Sequence, residues 1–196
     1  MDILSKLTCG LIPAYYTDTQ QGSGPASAAE LFTSLDRRAK TLRKARAMPA
    51  ICYSLALHAG VAGRTIRPEA AAAVMEAVAT GGNYGQSYHR IMGIAGNGSD
   101  NFLPQNIGES GILNFKETAT NHLVHTAYLH RTNTGQLILM HNNSAIMDMK
   151  MAGVDVTPLQ HGGVTIYTNV DRLQEYLDAG YRFYFTPASR LNAAAA

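Results

Sequence analysis

Asn121-His122-Leu123-Val124-His125-Thr126-Ala127-Tyr128-Leu129-His130, then Thr132-Asn133-Thr134-Gly135, then Gln136-Leu137-Ile138-Leu139-Met140-His141-Asn142-Asn143 is the stretch on which the fold turns. Two apolar, β-branched and aromatic runs flank a short polar segment ending in glycine, and that pattern reads as a β-hairpin. If Asn133 and Thr134 are the two loop residues, Thr132 faces Gly135 and His125 lies directly opposite Asn142, about 5 Å away between Cβ atoms. A three-residue loop would put Asn143 opposite His125 instead. Either register offers the imidazole an amide partner. Ala127 and Leu129 share the face of His125 and suit an apolar wall behind it.

Outward from the hairpin, further strands are expected over residues 164–167 and 181–186, with a helix between them. Thr168 and Asp171 fit its capping box, Leu173, Tyr176 and Leu177 its apolar face, and Gly180 its stop. Upstream the pattern is helical. Residues 29–47 carry Leu31, Phe32, Leu35, Ala39 and Leu42 near a 3.6-residue period. The opposite face holds Arg37, Arg38, Lys40, Arg43, Lys44 and Arg46. After Pro49 a second helix is expected from Cys52 to Ala59, stopping at Gly60. Pro68 opens a third over residues 69–80, ended by Gly81-Gly82. Residues 81–111, rich in Gly, Asn and Ser, read as a long loop. Helices first and an antiparallel sheet last argue for an α+β domain. The boundaries expected are a flexible arm over 1–28, a single domain over 29–192 and a tail over 193–196.

Composition narrows the function classes. An apolar fraction of 46% with only 15% charged residues suits a compact body, and a net charge of +2 commits the chain to no polyanion. Cys9 and Cys52 are the two cysteines. They suggest neither a disulfide framework nor a zinc knuckle. No apolar run has the roughly 18–20 residues that span a bilayer, so no integral membrane segment is expected. The charges of residues 37–46 read first as a solvated face and next as a docking surface for an acidic partner or anionic lipid; no aromatic residues interleave them, which argues against nucleic acid.

Cys52 stands where a helix begins. A free thiol is only about 3% ionised at pH 7. A helix N-terminus and a nearby imidazolium both raise that fraction, and the same helix start aims a backbone N–H at a developing oxyanion. His125 is the candidate base and Asn142 the candidate orienter. A metal site built from His122, His125, His130 and His141 is the rival. Strand alternation separates His122 from His125, and no carboxylate or cysteine joins them at ligand spacing. No metal or cofactor is therefore expected.

Ile51-Cys52-Tyr53-Ser54-Leu55-Ala56 resembles the G-x-C-x-x-L-S segment around the nucleophile of the papain-like clan, especially bacterial effector proteases of the YopT and AvrPphB type. His125-Thr126-Ala127 resembles that family's H-A-x-A strand. The strand over residues 137–142 and the closing strand–helix–strand run over 165–185 resemble the rest of its catalytic domain, across residues 45–187. Ala50 stands in place of the usual glycine, and His141-Asn142-Asn143 in place of Asp-Pro-Asn. No Gln or Asn lies in the dozen residues before Cys52 to complete an oxyanion hole, a role open to Asn83 or Gln86.

The resemblance implies a papain-like thiol hydrolase acting on a protein amide bond. Its roles are Cys52 as nucleophile, His125 as base then acid, and Asn142 as orienter. It also implies an exported bacterial effector, delivered without a signal peptide into a host or target cell. The same site would serve a glutamine deamidase, an acyltransferase or a peptidoglycan amidase. The alternative class is a non-catalytic interaction domain with an unreactive Cys52.

Overall fold

The computed structural model describes residues 24–27, 29–31, 33–35, 37–38, 52–81, 107–120, 122–142, 164–167 and 173–194. The hairpin forms as expected and becomes the centre of a larger sheet. Strands β1 (Gly111–Glu117), β2 (Leu123–Arg131), β3 (Leu137–Asn142), β4 (Val164–Tyr167) and β5 (Tyr181–Pro187) pair antiparallel in the order β4-β3-β2-β1-β5. Helices α1 (Cys52–Ala62) and α2 (Pro68–Gly81) precede it, α3 (Leu173–Asp178) leads into β5, and α4 (Ala188–Ala194) follows. The fold is α+β.

Strand β1 is a correction. It falls where Gly111 ends the expected loop, and Ile112, Leu113 and Phe115 are all fully buried. A central strand covered on both faces shows no polar alternation, so its short apolar run does not announce itself. Most of that expected loop, residues 82–106, lies outside the described residues. So do Thr168, Asp171 and residues 39–51.

The two faces of the sheet carry separate cores. On one, Ile112, Tyr128, Ile138 and Met140 meet α1, α2 and α4 through Leu55, Leu57, Ala71, Val74 and Leu191. On the other, Leu113, Phe115, Ala127, Leu129, Leu139 and Phe183 gather around Ile107 and Leu173 of α3. Each fully buried leucine or isoleucine contributes about 1.5–3 kcal/mol over leaving it in water.

Helix α1 runs past its expected stop. Gly60 lies inside it because a methyl there would collide with the Ile66 side chain, so the glycine serves close packing rather than termination. The chain leaves the helix with Thr65 and Ile66 N–H groups donating to the Gly60 carbonyl, and with Arg64 in the left-handed region at φ 59°. That capping position usually takes glycine or asparagine. Helix α4 corrects the expected tail, since Ala193 and Ala194 complete it. Asn192 ties it to the start of α2 by accepting the Arg67 N–H (2.8 Å) and donating to the Thr65 carbonyl (2.8 Å).

The end of the expected flexible arm is docked. Pro25 is buried, and its carbonyl accepts a hydrogen bond from His130 Nε2 at 2.9 Å. Because a carbonyl only accepts, His130 carries its proton on Nε2, and Nδ1 accepts the Tyr128 hydroxyl (2.8 Å). Thr65 Oγ1 completes the chain at 2.8 Å from that hydroxyl. Removing the hydroxyl in Tyr128→Phe leaves a buried imidazole nitrogen without its donor, so a loss of about 1–3 kcal/mol is expected. Urea denaturation would measure it. An unchanged midpoint would remove the relay from the account of how the arm is held.

Downstream of the arm, residues 29–31, 33–35 and 37–38 are helical. Ser27 Oγ accepts the Glu30 N–H (3.2 Å) and Glu30 Oε2 accepts the Ala26 N–H (2.8 Å), a close variant of the capping box.

Candidate functional site

Cys52 is the first residue of α1 and is half-buried, as its position after Pro49 led us to expect. Its thiol lies against Thr126 at the middle of the sheet. Burial pushes the thiol pKa up. The amide groups of Thr126, Tyr53 and Cys52 and the Thr126 hydroxyl pull the other way without cancelling it. Thr126 itself is fully buried and donates its hydroxyl to Asn114 Oδ1 of β1 at 2.9 Å. The side chain that meets the thiol is thus an alcohol, which has no basic nitrogen to take the S–H proton.

His125 is elsewhere. It packs against Phe115 (ring centroids 5.5 Å apart) and His141 (5.1 Å, edge-on), on the face that holds Ala127, Leu129 and Phe183. Cys52 and Thr126 occupy the opposite face, with α1. The structure does not bring the expected nucleophile and the expected base together. The reason is local: adjacent strand residues point to opposite faces, and Thr126 has the position that looks at Cys52.

The described partner of His125 is a second histidine. The loop has three residues, closed by Thr132 N–H to the Gln136 carbonyl (2.9 Å) and Gly135 N–H to the Thr132 carbonyl (3.0 Å), with Gly135 at φ 86°. Tyr128 therefore faces Met140 and His130 faces Ile138. The loop is the longer of the two considered, and the β2–β3 pairing runs from Arg131–Leu137 to Tyr128–Met140. Asn142 ends β3 with its backbone opposite Val164, and Asn143 lies outside the described residues.

The imidazole partner is His141, whose Nδ1 is 3.2 Å from His125 Nε2, so one ring donates and the other accepts. This diagonal pair follows from the three-residue loop, because His141 sits on the face of His125 two positions along. Burial first, and His141 second, lower the His125 pKa from 6.5 to about 3. The ring is neutral throughout the physiological range and supplies no imidazolium.

A bulge explains how this region departs from simple alternation. Phe115 pairs with His125 but Lys116 pairs with Leu123, so β2 carries one extra residue at this point. Val124 packs with His125's face while Leu123 packs with α1's.

His130 belongs to the relay under the arm, His122 is exposed beside the start of β2, and His58 is fully buried in α1. Of the four weighed for a metal, only His125 and His141 meet. Among the described residues no group of three or more metal-binding side chains occurs. Arg38 corrects the reading of the basic helix. It is 2% exposed and its Nε donates to His58 Nδ1 at 2.9 Å, so it does not belong to the solvated face with Arg37. Among the described residues no helix is long and apolar enough to cross a membrane.

A family model described as Domain of unknown function (DUF8038) matches residues 29–195. No curated protein and no solved structure matches the chain.

Proposed function

The chain belongs to the DUF8038 family, and we propose that its domain binds a ligand or partner on a papain-like layout without acting as a thiol hydrolase. One observation carries this reading: Cys52 faces Thr126 on one side of the sheet, while His125 is neutral and paired with His141 on the other. A thiol proton whose neighbours are a hydroxyl and backbone amides has nowhere to go at neutral pH, and a thiol whose pKa burial raises is a poor nucleophile there.

The thiol-hydrolase reading is the second, and the bulge at Leu123–His125 favours it. Moving the extra residue one place toward the hairpin loop would leave Thr126 opposite Asn114 and turn His125 to that same face, the side of α1. Proteolysis, glutamine deamidation, acyl transfer and peptidoglycan cleavage would all depend on that rearranged strand, as would an effector role in a host cell.

Alkylation of Cys52 against pH, followed by mass spectrometry in wild type and His125→Gln, separates the two. The binding reading expects slow alkylation at neutral pH that rises only above the ordinary thiol range, with the same profile in both proteins. A thiolate persisting below neutral pH in wild type and lost in the variant would overturn it in favour of the hydrolase. Near-ultraviolet circular dichroism of both proteins establishes that the variant is folded.

A further inference from the structure

Four parts of the chain meet around a cavity of about 420 Å³. The docked arm supplies Pro25, the helical segment after it supplies Glu30, Ser34 and Arg37, the turn after α1 supplies Arg64, and the β2–β3 loop supplies Asn133. We propose that this cavity binds a small phosphorylated metabolite that also carries hydroxyl groups.

The volume lies within the range of roughly 300–1,000 Å³ that small-molecule sites occupy. Arg37 and Arg64 line it from different elements, and the planar fork of arginine matches phosphate oxygens two at a time. The Ser34 hydroxyl and the Asn133 amide can donate to a remaining oxygen. Glu30 is the one acid among the lining residues, with Oε2 accepting the Ala26 N–H. Its carboxylate suits a ligand that donates hydroxyl protons as well as presenting an anion. It also lowers the appeal of a bare polyanion.

The walls are held in place before any ligand arrives. Pro25 is fixed from behind by the buried His130. Gly24 lies so close to the end of α1 that a Cβ on it would come within 2.7 Å of the Gly63 carbonyl oxygen. Arg64 is the only non-glycine residue with a positive φ among the described residues. At a position where glycine would sit without strain, the chain places a long cation on the cavity wall. Such exceptions cluster where a side chain is needed. None of these residues touches Cys52, so the inference stands on neither reading of the thiol.

Titration of the isotopically labelled full chain, read by backbone amide chemical shifts, tests it. The probes are a hexose 6-phosphate, the unphosphorylated hexose, inorganic phosphate and succinate. The hexose phosphate is expected to give saturable shifts at Gly24, Ala26, Ser34, Arg37, Arg64 and Asn133. Inorganic phosphate is expected at the same amides but more weakly. Arg37→Gln and Arg64→Gly should each weaken binding by roughly tenfold. The glycine variant keeps the backbone conformation, so its loss reports the guanidinium and not the fold. Absence of saturable shifts would overturn the proposal. So would binding unchanged in both variants, or binding of the plain hexose or of succinate as tight as that of the hexose phosphate.

Discussion

Acidification from about pH 7 to about pH 4 is expected to cost the folded state about 3 kcal/mol through His125 alone. Unfolded, this imidazole takes up a proton near pH 6.5. Folded, burial and the neighbouring His141 hold its pKa at about 3. Between these two values the unfolded chain binds the extra proton, so stability is full above pH 6.5 and falls as pH drops, levelling off below about 3. His58 and His130 act in the same direction, since burial lowers both, for His58 with the charge of Arg38 adding to it. Urea denaturation over this pH range would give the slope directly. In His125→Gln, whose amide can bond His141 but does not titrate, the slope should be shallower by the His125 share. An identical slope in the variant would mean that His125 is not the neutral, buried group described here.

Gly111→Ala is expected to destabilise the protein by about 3 kcal/mol, although alanine is less costly than glycine in most strands. Gly111 begins β1 between β2 and β5, paired with Leu129 on one side and Pro187 on the other. A methyl there would run into the Thr186 carbonyl oxygen and the Phe185 ring, which lies 2.7 Å away. The ring can turn. The carbonyl is backbone of the neighbouring strand, so β5 has to move away from β1 to make room. Thermal or urea denaturation measures the loss. A variant as stable as wild type would show that β5 shifts at little cost, and that the close β1–β5 approach is not a constraint on the sheet.

The elements legible in the sequence are those with their own punctuation. Gly135 and the polar residues before it marked the hairpin, Pro68 opened α2, and Gly180, at φ 86°, stopped α3. Gly60 misled because a glycine chosen for contact with Ile66 looks the same in one dimension as one chosen to end a helix. Arg38 misled for a related reason: its charge reads as solvated face, whereas its guanidinium reaches inward to His58.

The site was legible in part only. Cys52 was placed at a helix N-terminus from Pro49 and its neighbours, and α1 does begin there. Which asparagine would lie across from His125 depended on loop length and on unbroken alternation. A three-residue loop shifted the register, and the extra residue of β2 near Val124 altered which neighbours share a face. Neither has a marker at the positions it affects. His141 became the partner through geometry that no local motif announces.

The sheet order carries a consequence for how the chain is made. Strand β1 is interior only because β5, which follows it in the chain, closes its outer side, and α4 then returns Asn192 to Arg67 and Thr65, more than a hundred positions earlier. Until residues 181–187 have left the ribosome, β1 presents an open row of N–H and C=O groups flanked by Ile112, Leu113 and Phe115. That is a sticky edge of the kind that recruits other chains. From the synthesis of β1 until that of β5 the nascent protein therefore carries an exposed strand edge, the interval in which chaperones that cover apolar surface would matter most.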